Sequence, residues 1–283
     1  MKTQSLNPNS GMIVYREDEV DVLSLDHLKA QELFKSSGML LFRGFQMSLR
    51  LFRSFVDRFT SQYWLDYGNS KKTLTPGDFI QSVTVSNHSI ELHCENGIIP
   101  QQPDIIWFYC VAPAVKGGET VFCDGVRVWK HLSQPTRQMF LSHKVKHAST
   151  TPRELYLGED KIVVLRIGDF KFAGTTYRFN DDESVTMEYI TSAVKRTKYG
   201  SELAFVNSLI GPYLNHKVTF EDGSEISDEI FGEIRRLYKD LTQPIHWQAG
   251  DLAMIDNTRY MHGREAFNDN QRDIYTLMSM ANF

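Results

Sequence analysis

Residues 104–125 read DIIWFYCVAPAVKGGETVFCDG. DIIWFYCVA (104–112) is strongly β-prone, and after a Gly117-Gly118 turn ETVFCDG (119–125) begins a second short β-prone run. The same kind of segment recurs on both sides. FIQSVTVS (79–86) and SIELHCE (89–95) precede it, and DLAMID (251–256) and RDIYTLMSM (272–280) follow near the C-terminus. GMLLFRGF (38–45), an apolar run bounded by glycines, reads as a buried strand.

Helical signals lie outside this set. DHLKAQELFKS (26–36) is a short amphipathic pattern, and SLRLFRSFVDRF (48–59) puts Leu51, Phe52, Phe55, Val56 and Phe59 on one face. WKHLSQPTRQMFLSH (129–143) predicts one helix with Pro135 in an early turn. SDEIFGEIRRLYKDLTQ (227–243) has Ser227 as cap, acidic residues in its first turn and Pro244 as its stop. Residues 66–78 read as loop, and the strand-like runs in 144–225 do not order themselves from sequence. Helices, then short strands, then an insertion, then returning strands is not an alternating βαβ pattern. It predicts a mainly β fold, a sandwich or barrel with flanking helices. With no linker or repeat, the expectation is a single domain over 1–283. It starts with a helix-strand-helix segment and carries an insertion at about 144–225.

The chain has 283 residues, 41% hydrophobic and 23% charged, long enough for a large core. A net charge of −4, from 31 basic and 35 acidic side chains, argues against a nucleic-acid partner. The sequence contains no run of membrane-spanning length, so no membrane partner is expected. Three cysteines, Cys94, Cys110 and Cys123, without paired C-x-x-C spacing suggest free thiols and a cytoplasmic setting.

ELHCENG (91–97) carries the chemistry. On a strand, side chains alternate, so His93 and Glu95 point one way and Cys94 the other. An imidazole and a carboxylate side by side are two thirds of a mononuclear metal site. His262, after the DLAMID run and the turn-prone Asp256-Asn257, is the candidate third ligand. Two histidines and a carboxylate on one face of an octahedron leave three positions open, the arrangement of non-haem Fe(II) oxygenases. Zn, Ni or Cu would also fit such a donor set.

The blocks GMLLFRGF, LHCENG, PDIIWFYCVAPAVKGGETVFCDG and WQAGDLAMIDNTRYMHGREAF, with a later arginine, resemble the iron(II)/2-oxoglutarate-dependent oxygenases of the taurine dioxygenase and clavaminate synthase-like superfamily. That resemblance implies a double-stranded β-helix, or jelly roll. It implies Fe(II) on His93, Glu95 and His262, with 2-oxoglutarate and O2 as cosubstrates. It places Thr120 and Arg272 on the far carboxylate of 2-oxoglutarate, with Arg264 as a competing arginine. A glutamate in the ligand set is similar to the clavaminate synthase branch, although the loop from His262 to Arg272 is shorter than in that branch. No side chain beyond the metal ligands is expected to act as a catalytic acid or base.

Specificity is expected in loops over the barrel mouth. Candidates are 63–89, with Tyr67, Asn87 and Ser89, then Arg259, and the 144–225 insertion with TPRELYLGEDK (151–161) as a lid. The expected substrate is a small molecule, an amino acid or natural-product precursor, hydroxylated at an unactivated C–H. The alternatives are hydroxylation, desaturation or cyclisation on an aminoacyl group tethered to a carrier protein, and a non-enzymatic jelly-roll binding protein.

Overall fold

The computed structural model describes residues 1–7, 10–17, 21–65, 71–74, 77–83, 86–151, 174–182, 184–211 and 215–283. The chain begins with an antiparallel hairpin, β1 (Lys2–Asn7) and β2 (Ser10–Tyr15), which the sequence reading does not anticipate. Helix α1 (His27–Ser37) starts where the Asp26 carboxylate accepts the N–H groups of Leu28 and Lys29. It stops at Gly38, whose φ of 70° turns the chain directly into β3 (Met39–Arg43). A side chain at Gly38 would also strike the Tyr260 ring, at 2.6 Å. Helix α2 (Leu49–Asp57), capped by Ser48, buries Phe52, Phe55 and Val56. Each phenylalanine contributes roughly 1.5–3 kcal/mol by leaving water.

Short strands follow: β4 (Thr60–Trp64), β5 (Lys72–Thr73), β6 (Gln81–Ser82), β7 (Ile90–His93), β8 (Ile105–Ala112) and β9 (Thr120–Asp124). The run at 79–86 is thus a strand only at Gln81–Ser82 among the described residues. WKHLSQPTRQMFLSH forms two helices rather than one. Helix α3 (Gly125–His131) ends, and Ser133 caps α4 (Gln134–Ser142). The physical reason is Pro135, which lacks an N–H and disfavours helix in the residue before it, so it sits in the first turn of a new helix.

The insertion contributes β10 (Val145–Thr151), β11 (Thr175–Phe179), β12 (Val185–Thr191), β13 (Val194–Arg196), β14 (Leu203–Phe205) and β15 (His216–Phe220). They form a four-stranded sheet in the order β11-β12-β10-β15 and a β13-β14 hairpin. Helix α5 (Asp228–Leu241) then leads to β16 (Gln243–Ile245), β17 (Leu252–Asp256), β18 (Tyr260–Arg264) and β19 (Asp273–Ala281). Residues 260–264, to which the sequence reading assigns no element, are a full strand.

Two of the sheets face each other. One runs β1-β2-β3-β17-β8-β19-β6-β5, with β4 also on β19; the other runs β16-β9-β18-β7. Phe108, Ile106 and Ile255 from the first meet Phe122, Tyr260 and Ile245 from the second in a shared apolar interior. Helices α1 and α2 cover the outer face of the larger sheet, where Phe34, Phe52 and Phe55 pack with Trp107. Helices α3 to α5 cover the outer face of the smaller sheet, over Val121, Cys123 and Met261. This is the expected jelly roll with flanking helices.

Candidate metal centre

Strand β18 lies between β9 and the edge strand β7, and its register places His262 opposite His93. The two rings sit 4.5 Å apart between centroids, and the Phe108 ring meets His262 edge-on with 5.6 Å between centroids. The pairing slips just past His262, between His262 and Arg264. Gly263 permits the close approach there, because a Cβ would lie 2.5 Å from the Ile90 carbonyl oxygen.

Strand β7 ends at His93, and Glu95 occupies the following turn. Its carboxylate still returns to the histidines, with Oε2 3.4 Å from His262 Nε2. Ligand atoms of His93, Glu95 and His262 all lie within 4.8 Å of one another, a group able to hold a metal ion. Cys94 points into the opposite cluster, its Sγ 3.7 Å from Ser208 Oγ, as alternation predicts. All three cysteines are buried free thiols.

The protonation states suit a metal. His93 Nδ1 lies 2.8 Å from the Glu91 carbonyl. Donating there leaves the Nε2 lone pair for the ligand group. Burial, and then the neighbouring His262, push the His93 imidazole down to about 4. Burial opposes charge on Glu95, but the Lys71 ammonium and the two histidines outweigh it and hold the carboxyl well below its usual range. A neutral imidazole and an ionised carboxylate are the forms that bind metal.

Two residues that sequence reasoning does not assign to the site support Glu95. Asn257 clamps its backbone, accepting the Glu95 N–H at 2.8 Å and donating to the Glu95 and Pro103 carbonyls at 3.1 and 3.0 Å. Lys71 Nζ lies 2.6 Å from Glu95 Oε1. The turn-prone Asp256-Asn257 pair is a partial signal for the first. Nothing in the loop 66–78 distinguishes Lys71 in sequence.

Thr120 pairs in register with Arg264 across β9 and β18, and Trp247 Nε1 donates to its hydroxyl at 3.1 Å. Arg272, just before β19, donates from Nε to the Gly118 carbonyl at 2.9 Å. Both arginines are buried, with guanidinium carbons 5.2 Å (Arg264) and 5.3 Å (Arg272) from the Phe267 ring. Burial, and then the Arg264 charge, push Arg272 down to about 10. Arg264 donates to the Val83 and His88 carbonyls and to Ser86 Oγ.

The substrate candidates fare differently. Asn87 and Ser89 are exposed. Asn87 accepts the Phe267 N–H through its carbonyl, and Ser89 lines an open groove of about 1010 Å³ beside α5 that none of the three candidate ligands lines. Arg259 is taken up by the scaffold. It makes two hydrogen bonds to the Asp124 carboxylate, at 3.1 and 2.7 Å, and a third to the Ser36 carbonyl. The expectation that it reaches the pocket gives way to this buried ion pair. Tyr67 and residues 152–161 lie outside the described residues.

A jelly roll with two histidines and a carboxylate converging between its sheets defines the class of mononuclear non-haem oxygenases. The sequence profile of the taurine catabolism dioxygenase TauD, TfdA family matches residues 12–278, so the chain belongs to that family and is an oxygenase. It is similar to the dapdiamide synthesis protein DdaC of Enterobacter agglomerans, 23% identical over 85% of this chain and 82% of that one. It is also similar to 3-((Z)-2-isocyanoethenyl)-1H-indole synthase of Fischerella ambigua, 22% identical over 95% and 91%. Among solved structures it shares its fold with PvcB, described as an Fe, alpha-ketoglutarate dependent oxygenase from an isonitrile synthetic pathway. The TM-score is 0.64, at 17% identity over 96% of this chain and 86% of that one. The family resemblance read from the sequence, and the iron and 2-oxoglutarate pair it implies, stand.

Proposed function

We propose that this protein uses Fe(II), 2-oxoglutarate and O2 to oxidise an unactivated C–H of a small molecule, an amino acid or natural-product precursor, with hydroxylation as the outcome. The observation that carries the reading is the convergence of His93, Glu95 and His262, whose ligand atoms all lie within 4.8 Å of one another. Iron bound there supplies oxidative decarboxylation of 2-oxoglutarate coupled to C–H oxidation. The chain's own residues do the rest. His93, Glu95 and His262 hold the metal, and Arg272 and Thr120 hold the far carboxylate of 2-oxoglutarate. Phe108 and the apolar inter-sheet core beside His262 limit water at the reacting end.

Relatives in dapdiamide and isonitrile synthesis support a natural-product precursor as substrate. The isocyanoethenyl group in one relative's name favours desaturation as the second outcome of the same oxidation. The test is succinate formation from 2-oxoglutarate under O2 with added Fe(II). The wild-type protein is expected to release succinate and His262→Ala to release none. Equal release by the variant would remove His262 from the site.

A further inference from the structure

Glu95 is restrained at both ends. Asn257 fixes its backbone through both the N–H and the carbonyl, so the carboxylate can move only by side-chain rotation. Its two oxygens face different partners. Oε2 lies 3.4 Å from His262 Nε2, on the side of the histidine pair. Oε1 lies 2.6 Å from Lys71 Nζ. Lys71 immediately precedes β5, at the edge of the larger sheet, and its ammonium also lies 3.8 Å from Met278 Sδ. The Lys71 and Glu95 side chains are only 10% and 8% exposed, so the pair is shielded from screening by water.

A cation set beside a cation-binding carboxylate needs an explanation. It repels an incoming metal and draws charge from the ligand, so it does not serve raw metal affinity. What it does is occupy one oxygen. A carboxylate bound to a metal through both oxygens takes two coordination positions instead of one. With two histidines, that leaves two open positions, enough for the chelating end of 2-oxoglutarate and none for O2. We propose that Lys71 is a positioning residue that holds Glu95 as a one-oxygen ligand and so keeps open the positions that 2-oxoglutarate and O2 require. The proposal rests on the metal-centre reading given above.

It predicts opposite responses for two ligands. Replacing Lys71 by an apolar side chain removes a repelling charge and frees Oε1, so metal affinity holds or rises. The extra carboxylate oxygen then competes with 2-oxoglutarate, whose affinity falls. A lysine that merely packs its loop would, when lost, weaken both or neither. The experiment is anaerobic. Co(II) is titrated into the metal-free protein by its visible d–d absorption, and 2-oxoglutarate is titrated into the Co(II)-loaded protein by calorimetry. Wild type is compared with Lys71→Met, Lys71→Gln and Lys71→Arg, each checked for folding by circular dichroism.

Lys71→Met is expected to bind Co(II) at least as tightly as wild type and 2-oxoglutarate about tenfold or more weakly, the scale of effects from residues that orient metal ligands. Lys71→Arg should recover most of the loss, and Lys71→Gln, a neutral donor, part of it. If Lys71→Met does not fold, Lys71→Gln against Lys71→Arg decides. Unchanged 2-oxoglutarate affinity, or equal weakening of both ligands, overturns the role of Lys71 and leaves the metal centre standing. Folded wild-type protein that binds no Co(II) overturns the metal centre, and the assignment with it.

Discussion

The proposed metal and 2-oxoglutarate ends of the site handle charge in opposite ways. At the metal end the protein supplies its own balance: the Glu95 carboxylate is matched by the Lys71 ammonium, and burial keeps the His93 imidazole neutral. At the other end two buried guanidiniums, Arg264 and Arg272, flank one phenylalanine ring and repel each other. Arg264 has no carboxylate partner among the described residues; its donors go to backbone carbonyls and a serine hydroxyl. Burying like charges together is costly unless an anion joins them. On the proposed function, the contrast suits two ligands of opposite sign: a cation where donor atoms converge, and a carboxylate where fixed cations do.

Breaking the metal end outright should have the largest effect. His262→Ala is expected to lower Co(II) affinity by more than roughly 100-fold, beyond the range seen for residues that only orient ligands. Anaerobic titration by absorption would show it, and an affinity within about tenfold of wild type would place the ligand elsewhere. Arg272→Ala attacks the other end. It should weaken 2-oxoglutarate by on the order of 2–5 kcal/mol, the cost of truncating one partner of a buried charge pair, while Co(II) affinity stays put. Loss of metal rather than of 2-oxoglutarate would reverse the assignment of the two ends.

Asn257→Ala is a smaller perturbation. It leaves the Glu95 N–H and two carbonyls without their partner, at a cost of about 1–3 kcal/mol of stability. Thermal melts should show a lower Tm in metal-free and metal-loaded protein alike.

The smallest effect is in pH. His93 is pushed down to about 4, from 6.5, and Glu95 is held below its ordinary value. As pH falls, the unfolded chain therefore takes up its protons first. The stability from a neutral His93 is complete above about 6.5 and is lost progressively towards 4. His216, at about 4, and His147, at about 3, have the same sign. Metal-free protein should melt at lower temperature at pH 5 than at pH 7.5. Equal melting temperatures would mean that these imidazoles are not buried neutral.

What was legible in sequence follows from locality. Alternation along ELHCENG separates His93 and Glu95 from Cys94, and the structure keeps that separation although the strand stops at His93. Strong apolar runs such as IIWFYCVA and LAMID become strands because nearly every residue in them is buried. YMHGR has no such run. It is a strand because two neighbours, β9 and β7, pair with it, a fact of distant sequence. The insertion strands are half-exposed with mixed polarity, so no pattern ordered them. Lys71 and Asn257 escape for the same reason as YMHGR. Each acts on Glu95 from far away in sequence, through contacts that only the folded chain creates.

The most direct test is anaerobic addition of Fe(II) and then 2-oxoglutarate to the metal-free protein, watching for the visible charge-transfer absorption of the iron–2-oxoglutarate chelate. Wild type should develop the band, and Glu95→Ala should show it weakened or not at all. A protein that binds iron without developing the band, or a Glu95→Ala variant with a band equal to wild type, would contradict the assignment of this site.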